Sequence, residues 1–561
     1  MKARALVRTD DSPPEAGSPA KGGVRITAAG LITKHRNGII ALDDVTLSIE
    51  PGQLTAIVGP SGAGKTTLLT ALAGIAPAQQ GTVAFHGAEP TSGGTSVGFV
   101  PQDDILHREL PLRRTLRYAA ALRIAGSSAA IDAAVTEAMK TLGLARHGET
   151  PVHSLSGGQR KRASIACEIL TQPGVCFLDE PTSGLDPSAA ADLVASLHGM
   201  CAEGSTVVFT THSIEDIERS DRVVVLAPGG RLLAAGTPTD VLDRLDADTF
   251  TELYERLTGD DLDAVPDPAA TLPVPAAPKV PASSPRREPR ADRPGALRQW
   301  LVLTHRAADI LTRNRLTLAI LLGSPAAVIA MFGVLFRPGG FDPGTGDPTA
   351  ALQVAYWLSF AGFFFGLTFG LLQVCTEVPV LRRERHAGVR TGAYLASKLA
   401  LLTPILLLVN GAMIIVLRAL DRIPPLPAGV LAQLYMTMAL NSVAALCLGL
   451  LASAAVTSTA QAALALPMLC FPAVLFSGAM VPISVMAHAG RDIAAVMTDR
   501  WAFEAIARHF DVAALTGPES PYAGLGASSA TIYWALLFTF ALVLGSTAYA
   551  AVHHRASGEG R

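Results

Sequence analysis

The sequence predicts an α/β domain built on a largely parallel sheet, followed by an all-α domain that crosses a membrane six times. Three features carry that expectation. From Val24 to Leu257 short apolar runs alternate with helical stretches, the pattern of repeated strand–helix units. One of those runs ends in a glycine-rich loop. From Leu316 onward the chain holds six apolar stretches, each near the ~20 residues that a bilayer core requires.

The run Leu54-Thr55-Ala56-Ile57-Val58 leads into Gly59-Pro60-Ser61-Gly62-Ala63-Gly64-Lys65-Thr66-Thr67, and Thr67 to Leu72 continues as a helical pattern. Val175 to Leu178 and Val207 to Thr210 read as two further buried strands, each leading into polar residues, and Arg117 to Gly143 reads as helical and Ala-rich. Residues 1–23 form a polar tail rich in Pro and charge. Without the apolar centre of a signal peptide, this tail keeps the first domain, 24–257, on the cytoplasmic side. Residues 258–296 contain nine prolines between Pro266 and Pro294 and the pair Arg286-Arg287, a composition that suits an extended tether and cannot bury a core.

Residues 297–315 mix Trp300, Leu301, Ile310 and Leu311 with Arg298, His305, Arg306, Arg313 and Arg315, as an amphipathic helix on a membrane surface does. The membrane domain, 316–561, has its expected spans at about 316–336, 351–374, 393–416, 429–453, 460–480 and 530–552. The fifth carries Pro467 and Pro472 and is expected to kink. Arg382, Arg383, Arg385 and Arg390 crowd the connection after the second span and place it in the cytoplasm. An even number of spans then puts both termini inside and leaves 490–529 as the one sizeable external segment. The site of residence is a cell membrane, inner or plasma.

Composition excludes other classes. Apolar residues make up 49% and charged ones 16%, with a formal net charge of -2, so there is no basic field for a nucleic acid. The six cysteines form no CxxC pair and none falls in the external segment. They read as free thiols, with neither a disulfide framework nor a metal site.

The loop from Gly59 fits GxxxxGK[ST]. Glycines at Gly59, Gly62 and Gly64, with Ser61 between, permit a tight turn that exposes N–H groups to anionic oxygens. Lys65 adds a point charge for the β- and γ-phosphates, and the Thr66 hydroxyl suits Mg²⁺, with Thr67 following. Asp179, at the end of the apolar run Val175–Leu178, is placed to support Mg²⁺, and Glu180 to polarise an attacking water. An acidic strand-end pair doing surface work is the bland reading.

Leu155-Ser156-Gly157-Gly158-Gln159-Arg160-Lys161-Arg162 resembles the signature motif of ABC transporter ATPases, and Leu178-Asp179-Glu180-Pro181-Thr182-Ser183-Gly184-Leu185-Asp186 resembles their Walker B strand and D-loop. His212, after Phe209-Thr210-Thr211, matches the switch histidine, and Gln102, in Val100-Pro101-Gln102-Asp103-Asp104, matches the Q-loop. The form of these motifs and the domain order resemble the G subfamily and its bacterial relatives, of ABC-2 type. The fold that the resemblance implies is a P-loop ABC ATPase domain plus a polytopic membrane domain of six transmembrane helices.

It implies ATP and Mg²⁺ as cofactors, with Gln102 joining Thr66 and Asp179 at the metal. Glu180 is then the catalytic carboxylate and His212 the γ-phosphate sensor. In similar proteins two copies meet head to tail, so Ser156, Gly157 and Gly158, with Gln159 behind them, would contact the nucleotide held by Lys65 of the other copy. A loop that opens a helix offers N–H groups and the positive end of a dipole for that contact. Asp186 would communicate across the dimer. His35 is the one residue in its region able to stack on adenine, where relatives often place an aromatic; an ordinary loop histidine is the alternative. The implied partner is a second copy or a related half-transporter.

The expected function is ATP-driven export of a lipidic or amphipathic substrate in contact with membrane lipid; the alternative is a mechanotransmitter that moves an external partner and carries nothing across. In the membrane half, Phe360, Phe363, Phe364, Phe365 and Phe369 form either an aromatic wall for cargo or ordinary packing. Asn410 and Asn441 face the bundle interior or bond between helices. Glu377, Arg382, Arg383 and Glu384 are either a relay for ATPase movement or a juxtamembrane charge cluster.

Overall fold

The structure is a computed structural model and describes residues 24–35, 38–85, 97–258, 294–339, 341 and 347–557. The expected tail at 1–23 and the Pro-rich stretch 259–293 lie outside the described residues. In chain order the first elements are β1 (Ile26–Lys34), β2 (Ile40–Ile49), β3 (Leu54–Val58), α1 (Lys65–Leu72), β4 (Gln80–Phe85), β5 (Val97–Val100), α2 (Leu112–Arg123), α3 (Ser128–Thr141), α4 (Gly157–Ile169), β6 (Val175–Leu178), α5 (Pro187–Ala202), β7 (Thr206–Thr210), α6 (Ile214–Glu218), β8 (Arg222–Ala227), β9 (Arg231–Gly236), α7 (Pro238–Arg244) and α8 (Phe250–Thr258). Then follow α9 (Ala296–Arg313), α10 (Arg315–Leu335), α11 (Pro348–Leu371), α12 (Val378–His386), α13 (Thr391–Ala419), α14 (Ala428–Ala455), α15 (Thr459–Leu475), α16 (His488–Ala495), α17 (Thr498–His509), α18 (Val512–Thr516) and α19 (Ala530–Ser557).

The chain divides into two compact units, one of residues 1–104, 126–150 and 154–292, the other of residues 105–125, 151–153 and 293–561. In the first unit nine strands form the order β4-β1-β2-β9-β8-β3-β7-β6-β5. β3 runs parallel to β7 and β8, and β6 parallel to β7 and β5. Every residue of β3, β6 and β7 is buried, which is why their sequences are continuous apolar runs with no alternation. β1 pairs antiparallel with both β2 and β4. Leu68, Leu69 and Leu72 put one face of α1 into the core beneath this sheet.

The helical stretch expected from Arg117 to Gly143 is interrupted. Ile124 takes an extended conformation after α2, and the Ser127 side chain accepts from Ala130 N (3.3 Å) to open α3. A new N-cap satisfies a backbone donor at the cost of continuity, and the two helices fall in different units.

In the second unit α10, α11, α13, α14 and α19 are long and apolar enough to cross a membrane. The expected fifth span is shorter: α15 has 17 residues and stops at Leu475. The Ser477 hydroxyl donates to Val474 O (2.9 Å) and Gly478 adopts φ 89°, turning the chain before Met480. Buried shares sort the helices, at 78% for α11 and 67% for α14 against 17% for α10 and α19. α11 and α14 are therefore the centre of the unit, and the others leave broad apolar faces open. Gly366 and Gly370, one turn apart on α11, explain the central contact. A Cβ on Gly366 would stand 2.1 Å from Ser442 O, and one on Gly370 2.6 Å from Leu446 O. Only glycine lets the two backbones approach so closely.

Phe363, Phe365 and Phe369 are buried within the unit, and Phe360 and Phe364 half-buried, so this cluster packs the helices together. Asn410 Nδ2 donates to Ser442 Oγ (2.9 Å) and Asn441 Nδ2 to Ser359 O (2.9 Å); both amides are fully enclosed and bond between helices. The segment expected outside, 490–529, holds α17 and α18, and α17 is largely buried against α11 and α14.

Candidate functional site

Parallel pairing sets the ends of four strands level. Leu178 lies opposite Phe209 and Val100, and Ile57 opposite Thr210. The residues that follow each strand therefore gather along one sheet edge, where ligands bind in open α/β folds. From β3 comes the loop Gly59–Gly64, from β6 Asp179 and Glu180, from β7 Thr210 to His212, and from β5 Gln102.

Gly64 caps α1 with φ 90°, and a Cβ there would stand 2.1 Å from Ala41 O, so no other residue fits. No side chain caps α1, which leaves its first N–H groups to an outside acceptor. Lys65 Nζ donates to Gly59 O (2.9 Å) and Pro60 O (3.0 Å), folding back across the loop. Burial lowers its pKa, while Glu180 and Asp179 oppose the shift. Ser61 and Gly62 lie exposed at the tip, with Thr67 half-buried behind.

Thr66 Oγ1 donates to Asp179 Oδ1 (3.1 Å), and Thr210 Oγ1 donates to the same oxygen (2.7 Å). Thr210 Oγ1 in turn accepts from Glu180 N (2.8 Å). Glu180 has φ 44°, a left-handed conformation that costs a non-glycine residue about 1–2 kcal/mol. Its Oε2 accepts from Gln102 Nε2 (3.0 Å), and its Oε1 lies 3.8 Å from His212 Nδ1. Lys161 Nζ donates to Gln102 O (2.5 Å) and lies 3.9 Å from Asp104. Asp179, Glu180, Gln102, Thr66 and His212 thus form one connected cluster beside Lys65. Hydroxyl, carboxylate and amide oxygens of this kind suit Mg²⁺.

The remaining sequence-expected residues stand apart from it. Ser156 caps α4, its Oγ accepting from Gln159 N (3.3 Å) while Gln159 Oε1 accepts from Ser156 N (3.0 Å). This reciprocal capping box presents Gly157 and Gly158 on the first turn. Among the described residues no hydrogen bond joins Ser156, Gly157, Gly158 or Gln159 to the phosphate loop. Asp186 caps α5, accepting from Ala189 N (2.9 Å). His35 is exposed in the turn between β1 and β2, its N donating to Ile39 O (2.8 Å).

The sequence reading gives no individual role to Thr210 or Lys161, although both lie in its motifs, and does not mark Tyr254 or Asp216. Tyr254 OH accepts from Gly59 N (3.3 Å) across 195 positions. Asp216 Oδ2 accepts from Thr182 (2.6 Å) and Thr211 (3.0 Å) and ties the turn after Glu180 to the turn before His212. The polar end of the run Val207–Thr210 was the one available signal, for Thr210; nothing local marks Tyr254.

The C-terminal unit carries a second charged cluster. Arg306 of α9 forms a buried bidentate pair with Glu384 of α12 (Nη2–Oε2 3.0 Å). Glu377 pairs with Lys398 (2.7 Å) and accepts from Tyr394 OH (3.0 Å). Burial by itself would raise the Glu377 carboxyl, but the Lys398 ammonium, its hydrogen bond and the Arg306 guanidinium are among the groups that together outweigh it and hold the carboxyl down to about 2. His107, in the same unit, is pushed down to about 4 by burial and by Arg306, and is neutral. Arg383 donates to Ile105 O. Glu384 is therefore enclosed, and the half-buried Glu377 and Arg383 are partners in this unit's packing, with Arg382 donating to Arg555 O (3.0 Å).

The family model described as "ABC transporter" matches residues 42–183, and that described as "ABC-2 type transporter" matches residues 298–509. Among curated proteins the chain is similar to the ABC transporter ATP-binding/permease protein Rv1747 of Mycobacterium tuberculosis, 32% identical over 88% of this chain and 58% of that protein. It is 41% identical to ABC transporter G family member 21 of Arabidopsis thaliana over 34% of this chain and 30% of the relative. With the Nod factor export ATP-binding protein I of Cupriavidus pinatubonensis it shares 32% identity over 45% of this chain and 77% of the relative. The chain thus spans 58% and 30% of the lengths of the first two relatives. A solved structure of CbiO1 from Clostridium perfringens matches 39% of this chain and 90% of its own at 30% identity and a TM-score of 0.36.

Proposed function

The chain belongs to the ABC transporter family, with an ATP-binding domain followed by an ABC-2 type membrane domain, and on that premise we propose that it is a dimeric half-transporter that hydrolyses ATP to export a lipidic or amphipathic substrate. The observation that carries the reading is the cluster of Thr66, Gln102, Asp179, Glu180 and His212 at one sheet edge, in a chain whose described residues also include five helices of spanning length.

Lys65 and the uncapped N–H groups of α1 hold the phosphates. Thr66, Gln102 and Asp179 would hold Mg²⁺, which would supply positive charge against the negative charge that builds on the transferred phosphoryl oxygens. Glu180 accepts the proton of the attacking water, and its left-handed backbone, tied by Thr210, aims the carboxylate. His212 sits beside that carboxylate to sense the γ-phosphate. Ser156, Gly157 and Gly158 cap the nucleotide of a second copy or a related half-transporter; their separation from the phosphate loop within one copy supports that division. Asp186 and the exposed His35 complete the nucleotide surroundings. Binding of two nucleotides draws the ATPase domains together and hydrolysis releases them, shifting the membrane domain between two populations. The relative named for Nod factor export supports the export direction. The ATPase domain and both termini are cytoplasmic, the protein residing in a cell membrane.

Glu180→Gln in the purified full chain tests the reading. ATP binding is retained while turnover falls by about 10²–10⁴-fold, the usual contribution of a general base; unchanged turnover would remove Glu180 from the mechanism. For transport, the wild-type chain in inside-out vesicles accumulates a fluorescent phospholipid with ATP and the Glu180→Gln chain does not. Equal accumulation by the two would reject coupling.

A further inference from the structure

Helix α17 follows α16 and packs against α11, α14, α15, α18 and α19. Asp499, its second residue, is fully enclosed, with 0% of its surface exposed. Its Oδ1 accepts from Ser359 Oγ (2.6 Å), and that hydroxyl also lies 3.1 Å from the Asp499 backbone carbonyl. Ser359 stands midway along α11, a helix of spanning length, so the carboxyl is enclosed level with the middle of a span. The other oxygen, Oδ2, has no hydrogen-bond partner among the described residues.

Among the described residues no cation pairs with this carboxylate. On α17 the neighbouring Arg500 is taken by Glu504 (3.0 Å) and lies over the Trp501 ring, while His509 bonds Thr437 at the far end of the helix. The titratable side chains facing from the packed elements are Tyr356 of α11 and Cys470 of α15, neither of them cationic; Tyr533 of α19 interacts with Glu504 instead, and α18 offers none. α14 contributes Asn441, a neutral amide. An isolated carboxylate enclosed without a counter-charge takes up a proton sooner than remain ionised. Among the described residues Asp499 Oδ2 and Asn441 Oδ1 are enclosed acceptors without partners, and protonation gives Oδ2 a hydrogen to donate.

We propose that Asp499 is a proton-binding site of the membrane domain, whose neutral carboxyl docks the start of α17 against α11 and α14 and whose deprotonation loosens that helix. The step is a simple transfer: Oδ2 gives its proton to water, the carboxylate keeps the electron pair, and the charge left behind draws water into the contact. The ligand proposed is a proton, which the enclosed, unpartnered Oδ2 takes up by itself, without the several oxygens that a metal cation coordinates. The site is separate from the ATP-binding cluster, so it stands whether or not a lipid is the cargo.

The test uses the full-length chain in lipid nanodiscs at controlled pH. Infrared difference spectra of the wild type show the C=O band of a neutral carboxyl at neutral pH, and Asp499→Asn lacks it. Hydrogen exchange of residues 498–509, compared between the two proteins at each pH to cancel the intrinsic base dependence, shows the wild type loosening as pH rises and the Asn variant holding constant. Ser359→Ala, which removes a donor that favours the ionised form, moves the loosening to higher pH and serves if the Asn variant does not fold. An ionised carboxyl at neutral pH, the same pH response in wild type and Asp499→Asn, or an unmoved or lowered midpoint in Ser359→Ala would each overturn the proposal. So would loosening set by sodium or potassium at constant pH, which would make the ligand a metal cation.

Discussion

Thr210→Val tests the idea that one hydroxyl holds the catalytic turn in place. Thr210 is fully buried at the end of β7, and its Oγ1 donates to Asp179 Oδ1 (2.7 Å) while accepting from Glu180 N (2.8 Å). Valine keeps the shape and removes both bonds. Losing a hydrogen bond to a carboxylate is worth about 1.5–3 kcal/mol, and leaving the Glu180 N–H enclosed without an acceptor about 1–3 kcal/mol. Thr66 still donates to Asp179 (3.1 Å) and the two losses share one atom, so the combined cost is about 2–4 kcal/mol. For a domain of this size that lowers the midpoint of thermal unfolding by roughly 5–15 °C. Released from Thr210, the strained Glu180 backbone relaxes and the carboxylate loses its aim, so ATP turnover falls by about 10–100-fold, each factor of ten being ~1.4 kcal/mol in the transition state. Thr210→Ser, which keeps the hydroxyl, stays within about 1 kcal/mol of wild type. The assay is thermal unfolding and ATP turnover of the detergent-solubilised full chain. A valine variant with wild-type turnover and a midpoint within two degrees would refute the reasoning.

In the membrane domain, Gly366→Val forces α11 away from Ser442 O and destabilises by at least about 2 kcal/mol, whereas Gly323→Val, where a Cβ meets nothing within 4 Å, is tolerated; thermal unfolding in detergent separates the two. Glu384→Gln leaves Arg306 buried without a counter-charge and costs about 3–5 kcal/mol, while the joint replacement Arg306→Met with Glu384→Leu comes close to wild type; equal losses in the two would contradict the assignment. For pH, the Glu377 carboxyl is held below its ordinary value of 4.5, down to about 2. Its stabilisation is therefore complete above pH 4.5 and is lost as pH falls toward 2. The advantage of wild type over Glu377→Gln shrinks across that window and is constant at higher pH, as unfolding midpoints measured along an acid series should show.

Much of the nucleotide-binding half is legible in the linear sequence because its parts are local. The string Gly59 to Thr67 needs no distant partner to form a tight loop before a helix, and the run Val175–Leu178 announces by its composition that Asp179 sits at a buried strand's end. Cap residues are equally local: Ser156 with Gln159, and Asp186 before Pro187, start helices by bonds that span three positions. The spans were less sharply drawn, since hydropathy measures composition and not where a chain turns. The fifth stops at Leu475 because Ser477 and Gly478 end it, although apolar residues continue.

The sequence by itself determined the two kinds of domain, their order, and which residues, following strands or opening helices, are expected to bind phosphate and act in catalysis. Tertiary structure alone decided which side chains hold those residues in place. Thr210 meets Asp179 because parallel neighbours β6 and β7 end level, and Tyr254 reaches Gly59 across 195 positions. Asp499 looks like a surface aspartate in a polar stretch until α11 and α14 close over it. Pairing register and helix crossing are long-range choices, made by the burial of whole faces and the close approach of glycines. No short window of sequence contains both partners of such a contact.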